Sequence, residues 1–468
     1  MINEFVSLVN NILWGDGQVL IIMLLACGIW FTVKLGGVQL RHFGHMFSLL
    51  KGSNTSTKDG ISSFQALCTS LSARVGTGNL AGVAVAISLG GAGAIFWMWM
   101  IALLGMATGF AESVLGQLYK VRDENGEFRG GPAYYIKQGL NKTWLAVAFS
   151  LCLFFGYGFV FSAVQANTIT DALNNAYSFP TEYVGLAIIA LAALIVVGGL
   201  KSIARFAEFV VPFMGIGYVL VALAITFINI SELPAMLLDI VKSAFGLQEA
   251  GAGALGAAIK NGIQRGLYSN EAGSGSVPHA AASAVPNPNH PVSQGYIQML
   301  GVFLDTLVLC TSTAFIILLA GGSSSDQMEG IRLTQDAMSS HLGEGGTDFV
   351  AAAISLFAFT SVVANYAYGE SNLHMFKLDN KIGRAVYTIG YLGMIYWGAQ
   401  AALPQVWAMA DMALGLMTVI NIIAIVWMTP TIVSISKDYF KKKDSGEKVE
   451  YKVGDCEIQG RSEDGVWD

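Results

Sequence analysis

Two glycine-broken stretches interrupt long apolar segments of this chain, Arg74-Val75-Gly76-Thr77-Gly78-Asn79 and Tyr268-Ser269-Asn270-Glu271-Ala272-Gly273-Ser274-Gly275. In a bilayer every backbone N–H and C=O must find a partner inside the protein. Unwound backbone at membrane depth is therefore tolerated only where it is buried in protein or lines a cavity. A pair of such breaks, in corresponding helices of two halves, is the strongest sequence pointer to the binding site of a transporter. These two stretches restrict the chain more than any other feature.

The remainder reads as a polytopic membrane protein. Of 468 residues, 54% are hydrophobic and only 12% charged, against roughly 25% charged in soluble domains. Mean hydropathy is +0.55. About 11 stretches reach the apolar length needed to cross a bilayer as helix. They lie near 19–33, 62–89, 94–118, 145–169, 184–199, 209–228, 255–284, 296–319, 349–368, 385–403 and 406–433, the second and seventh being the broken ones. Glu4 and Asp16, with no basic run before the first span, do not resemble a cleaved signal peptide. The five cysteines offer no disulfide framework, and the net charge of -6 comes largely from the acidic tail.

Basic residues set the expected orientation. Lys34, Arg41, Lys51, Lys120, Arg129, Lys201, Lys377, Arg384 and Lys441 to Lys443 fall on one side of an 11-span topology, and few fall on the other. The positive-inside rule then places the N-terminus outside and the C-terminus in the cytoplasm. The expected fold is all-α. An extra first helix with its loop (1–59) precedes a first five-span repeat (60–230), then an external connection with a second, inverted repeat (231–434), and a cytoplasmic polar tail (435–468).

Each break carries polar chemistry. Freed amides at Thr77, Gly78 and Asn79 open the outer half of the second span, and a helix N-terminus suits a carboxylate. The carbonyls of Ser72 to Val75 close its inner half and suit a cation. The competing reading is a packing glycine pair at a helix contact. In the second break, the Tyr268 carbonyl suits an ammonium, and Ser269 and Asn270 add oxygens. Glu271 is costly at this depth and needs a partner. Arg74 is one candidate, Arg265 another, and a substrate ammonium a third.

On the fourth span Tyr157, Phe161 and Gln165 share a helical face, a pattern that suits core as well as a ligand site. Gln165 and Asn167 need hydrogen-bond partners if buried. On the ninth span Thr360 and Ser361 follow Phe357, with Asn365 one turn later. Paired hydroxyls of this kind often bond back to their own helix. Asp305, Asp171, Glu112 and Glu208 lie in or beside spans and suit a proton relay. The six histidines form no helical metal pair, and no phosphate-binding loop appears. Enzymatic and ATP-driven functions are therefore unsupported, and so are nucleic-acid partners. No obligate protein partner is evident. A channel remains a rival class.

Three longer motifs, 76–84 (Gly-Thr-Gly-Asn-Leu-Ala-Gly-Val-Ala), 90–99 (Gly-Gly-Ala-Gly-Ala-Ile-Phe-Trp-Met-Trp) and 269–276 (Ser-Asn-Glu-Ala-Gly-Ser-Gly-Ser), make the chain resemble the alanine or glycine:cation symporter family. The resemblance runs from the first span to about Pro430 and departs at Ala92, where the family commonly has proline. It implies the leucine-transporter type inverted-repeat fold and inward movement of alanine or glycine with sodium, without a cofactor. It further implies that Thr77 and Gly78 bind the substrate carboxylate, that the Tyr268 carbonyl and Gln165 hold the amino group, and that Asn365 lines the pocket. More distant similarity to the wider fold assigns sodium to the carbonyls of Ser72, Val75 and Phe357 with the hydroxyls of Thr360 and Ser361. It places a second sodium near Asn79 and Ser269. Proton coupling through Glu271 or Asp305 is the alternative.

Overall fold

The computed structural model describes residues 2–15, 17–53, 60–123, 126–247, 252–322 and 330–467. The chain is predominantly helical. Helices α1 (Ile2–Trp14) and α2 (Val19–Lys34) lead through two short helices to the first broken span, formed by α3 (Ser63–Arg74) and α4 (Val83–Gly90). Then come α5 (Gly93–Leu118), the short α6 (Pro132–Gly139), α7 (Thr143–Tyr177), α8 (Thr181–Val196) and α9 (Gly199–Ile228). After α10 (Leu233–Ala244) the second broken span is made by α11 (Ala252–Asn270) and α12 (Val277–Ser283). The remainder is α13 (Pro291–Leu319), α14 (Ile331–Leu342), α15 (Gly345–Met375), α16 (Lys381–Gln400), α17 (Leu403–Trp427) and α18 (Thr429–Ser445).

Among the described residues, six helices are individually long and apolar enough to cross a membrane: α5, α7, α9, α13, α15 and α17. This makes the chain a polytopic membrane protein. Its outer surface agrees with that. On α9, Phe209, Phe213, Ile216, Leu220 and Phe227 are exposed while Val211, Met214, Tyr218, Ala222 and Ile225 are buried. A helix with apolar residues on both faces is one whose outer face meets hydrocarbon.

The two broken spans lie at the centre, where α5 runs along both α11 and α13. Their ends on one face are tied together. Strand β1 (Ile61–Ser62), which leads into α3, pairs in parallel with β4 (Ala284–Val285), which follows α12. A capping box starts α3: Gln65 N–H donates to Ser62 Oγ at 3.1 Å, and Ser62 N–H donates to Gln65 Oε1 at 3.0 Å. A hairpin of β2 (Val121–Arg122) and β3 (Phe128–Arg129) packs on this same face. This is the face that carries α3 and α12, called the inner face below.

Three π-helical stretches flank the breaks: Gly78–Gly82, Gly156–Val160 within α7 and Phe303–Cys310 within α13. Such widened turns free backbone groups and are common at functional sites.

Candidate functional site

The first break is opened by Val75, whose ψ of 90° leaves the helical region. Gly76 follows at a close approach, where a Cβ would collide with the side chains of Ser361 and Gln165. Two of the freed donors are taken by side chains, while Asn79 N–H donates to the Gly76 carbonyl at 3.3 Å. Gly76 N–H donates to Asn79 Oδ1 at 3.0 Å. Thr77 N–H and Thr77 Oγ1 both donate to Gln165 Oε1, at 2.9 and 2.7 Å. Gly78 meets the second break directly, since a Cβ there would lie 3.0 Å from Ser269 Cα.

The second break begins at Glu271, a residue with φ 58°, and continues through Gly273 at 93° and Gly275 at 85°. Only glycine adopts such angles without steric cost, and a glutamate in this region marks a constrained site. Here the freed amides are held by a carboxylate. Glu112 on α5 accepts from Gly273 N–H at 3.0 Å and Gly275 N–H at 3.1 Å. Asn421 on α17 donates to Glu112 Oε2 at 2.7 Å and to the Gly273 carbonyl at 3.0 Å, and its own carbonyl accepts from the Tyr135 hydroxyl.

Between the breaks lies a small buried cavity. Its walls include Arg74, Tyr157, Phe161, Gln165, Glu271 and Asn365, with Tyr268 and Leu414 closing one end. The aromatic-amide stripe of α7 therefore faces this cavity and not general core. Three buried polar atoms of its lining have no hydrogen-bond partner among the described residues: Arg74 Nε, Tyr268 OH and Asn365 Oδ1. Asn167, by contrast, donates to the carbonyls of Gly398 and Ala401 at 2.9 and 2.7 Å, and so ties α7 to the end of α16.

Glu271 and Arg74 do not form the ion pair considered from the sequence. Ser276 Oγ donates to Glu271 Oε2 at 2.6 Å. The Arg74 guanidinium instead donates to the carbonyl and the side-chain oxygen of Gln298, each at 3.4 Å. Both groups still line the one cavity. Arg265, the rival partner, donates instead from Nη2 to both Asp411 carboxylate oxygens, at 2.7 and 2.6 Å.

The hydroxyl and carbonyl set expected to hold sodium is brought together beside the first break. Ser72 Oγ donates to the Thr360 carbonyl at 2.8 Å, and Thr360 Oγ1 to the Phe357 carbonyl at 2.8 Å. Ser361 Oγ points to the Phe357 carbonyl at 3.2 Å and across to the Val75 carbonyl at 3.4 Å. The two α15 hydroxyls thus bond back to their helix, and Ser361 also reaches the broken span.

Asn79 and Ser269, one from each break, converge on Asp305 of α13. Asn79 Nδ2 and Ser269 Oγ each lie 2.7 Å from an Asp305 carboxylate oxygen, and Thr306 Oγ1 lies at 2.8 Å. All four residues are buried.

Different side chains lie on the two sides of the cavity. On one side the Tyr268 ring lies tilted at 4.8 Å from Trp407, which the Arg265 guanidinium covers at 4.6 Å. Beyond the Arg265–Asp411 pair is an open pocket of about 400 Å³ lined by Trp14, Gln264 and Leu403 among others. On the inner side the His279 ring packs on Gly131 and lies 5.7 Å from the Tyr368 ring. Tyr134 OH donates to the Ser371 carbonyl at 3.1 Å, and Gln117 donates to the carbonyls of Ala281 and Ala284.

The sequence of residues 1–453 matches the sodium:alanine symporter family. The chain belongs to that family. Among its relatives, a probable sodium/glutamine symporter of Bacillus subtilis is 46% identical over 96% of this chain and 92% of its own length. An amino-acid carrier protein of the same organism is 43% identical over 95% of this chain and 93% of its own. A sodium/alanine symporter of Methanococcus maripaludis is 37% identical, covering 93% of this chain and 97% of its own. The sodium:alanine symporters are a family of transporters, not of enzymes.

For this member of the family, the residues missed from the sequence are those whose partners lie far away along the chain. Asp411 is an acid inside an apolar span, and that signal alone marks it as a residue needing a cation. Glu112 carries the same signal. Its role as acceptor for the second break, 161 and 163 positions distant, leaves no local trace. Trp407 and Asn421 look like ordinary span residues.

Proposed function

We propose that the protein imports a small neutral amino acid, alanine or glycine, together with sodium by alternating access. The observation that carries this reading is the buried cavity between the breaks, with its unpartnered Arg74 Nε, Tyr268 OH and Asn365 Oδ1. Buried polar groups without partners are costly, and a zwitterion supplies both signs of partner at once. The substrate carboxylate replaces Gln165 Oε1 on Thr77 N–H and Oγ1 and approaches the Gly78 backbone. Gln165, released from Thr77, then turns its oxygen to the substrate ammonium, together with the Tyr268 carbonyl, while Asn365 lines the pocket. The cavity is only about 10 Å³, so its walls, Tyr157, Phe161 and Leu414 among them, must give way to admit substrate, and the smallest displacement admits alanine or glycine before glutamine.

The carbonyls of Ser72, Val75 and Phe357 with the hydroxyls of Thr360 and Ser361 form the sodium site. Carbonyls released at a half-helix end are the usual cation ligands in transporters of this architecture. Asn79 and Ser269, gathered on Asp305, form the second sodium site. The same buried Asp305 carboxylate supports the alternative of proton coupling. In this reading 11 spans comprise one leading helix and two inverted five-span repeats, with the N-terminus outside and the inner face in the cytoplasm. The pocket beyond Arg265–Asp411 is then the external entrance.

Uptake of labelled alanine into proteoliposomes tests the reading. Uptake should require an inward sodium gradient and be inhibited by glycine, but not by leucine or phenylalanine. Uptake driven by a proton gradient without sodium would replace sodium by the alternative. Stronger competition by glutamine than by alanine would show that the cavity widens further and that its size does not set selectivity.

A further inference from the structure

The acidic stretch after α18 is not a free tail. Residues 446–467 run back across the inner face, and two of their aromatic side chains are deeply buried, Tyr451 at 1% and Trp467 at 2% exposure. The first contact is with the segment after the second broken span, where Tyr451 N–H donates to the Asn289 carbonyl at 2.9 Å. The middle of the segment joins α5 to the last helices. Gln459 N–H donates to Thr431 Oγ1 at 2.9 Å, its side chain reaches the Trp427 carbonyl at 3.2 Å, and its carbonyl accepts from Tyr119 OH at 2.5 Å. Gly460, with φ 65°, lies against the Gln138 backbone at the end of α6 and leaves no room for a Cβ.

The end of the segment is the most informative. Trp467 Nε1 donates to the Leu118 carbonyl at 3.2 Å, and its ring lies 4.8 Å from Lys120 Nζ. Lys120 Nζ in turn donates to the Ala284 carbonyl at 3.0 Å. Ala284 belongs to β4, the strand that joins the inner ends of the two broken spans. Lys442 anchors the start of the segment through Asp438 at 2.8 Å and Asp455 at 2.7 Å. One segment therefore fastens α5, α6, α17, α18 and the exit from α12 to one another.

We infer that this C-terminal segment is a clasp that holds the inner face closed, so that its release raises the share of molecules open to that face. The inference rests on the alternating-access reading above. In that reading α3 and α12 must part from their neighbours for substrate to leave, and a segment bridging those neighbours opposes the parting. Only a ligand or contact that differs between two states shifts their balance, and the Tyr451–Asn289 and Trp467–Lys120–Ala284 contacts reach the part that has to move. The family match ends at residue 453, so most of the clasp is a feature of this chain beyond that match.

A single cysteine at Ser283, the buried last residue of α12 whose Oγ donates to the His279 carbonyl at 3.0 Å, reports the state. Ser283→Cys in an otherwise cysteine-free background, reconstituted without substrate, is labelled with a membrane-impermeant maleimide applied to the inner face. Removal of residues 446–468 should accelerate labelling several-fold, and Trp467→Ala should do so to a smaller extent. Thermal unfolding of the same samples separates opening from loss of fold. Faster labelling in a variant that melts like the parent supports the clasp. Unchanged labelling in both variants overturns it, as does a lowered melting temperature with unchanged labelling, which makes the segment a structural brace. Should the deletion fail to fold, Trp467→Ala decides alone. Failure of sodium-driven alanine uptake in the parent would instead break the transport reading, and the labelling comparison does not depend on uptake.

Discussion

The two breaks solve one problem with different chemistry. Each leaves backbone N–H groups without helical partners in a dry environment. At the second break the acceptor is the Glu112 carboxylate, held in place by Asn421, which Tyr135 braces in turn. At the first the acceptors are neutral amides, Asn79 for Gly76 N–H and Gln165 for Thr77 N–H and Oγ1. Three donors, two backbone N–H groups and Asn421, converge on Glu112, against two from Thr77 on Gln165. The second break is therefore the more heavily bonded of the two. The first is capped by a group that a stronger acceptor can displace, and a substrate carboxylate is such an acceptor.

This contrast is most exposed at Glu112. Glu112→Gln puts an amide where a carboxylate accepts from two backbone N–H groups and Asn421. A buried donor left without its acceptor costs roughly 1–3 kcal/mol, so a clearly lowered melting temperature and folded yield are expected, with no recovery on adding alanine. A variant as stable as the parent would place the two breaks on an equal footing.

A smaller effect is expected beside the first break, and on ion affinity, not folding. Thr360→Ala/Ser361→Ala removes two hydroxyls from a helix that alanine suits well. Half-maximal uptake should need about tenfold more sodium, a change of about 1.4 kcal/mol. Because coupling is reciprocal, alanine affinity at fixed low sodium should fall as well. Unchanged sodium dependence would mean that the hydroxyls serve only their own helix.

Gln165→Ala should disturb stability least. It deletes two neutral hydrogen bonds, worth about 1 kcal/mol each. Melting should shift less than in Glu112→Gln, while the alanine concentration for half-maximal uptake rises strongly. Equal or greater loss of stability than at Glu112 would reverse the comparison.

How much of this was legible in the sequence follows the same division. The first break could be read from Gly76 and Gly78, because unwinding in a bilayer demands residues of that kind. The hydroxyls of Thr360 and Ser361 were visible as a pair, and their meeting with Ser72 and Val75 follows once the broken span faces α15. The second break was legible as a break, but its acceptor was not, since Glu112 reaches it from a helix far away along the chain. The partners of Arg74 and Glu271 were also hidden. Two opposite charges at membrane depth suggest a pair, yet Arg74 reaches Gln298 and Glu271 accepts from Ser276. The C-terminal segment looked like a polar tail because composition does not reveal that Tyr451 and Trp467 find buried positions.

The central claim is that substrate takes the place of Gln165 at the first break. A structure of the protein bound to alanine in sodium tests it most directly. The account predicts the alanine carboxylate on Thr77 N–H and Oγ1, with the Gln165 amide turned to the ammonium and Glu112 still on Gly273 and Gly275. Alanine bound elsewhere, with Gln165 still accepting from Thr77, would contradict it.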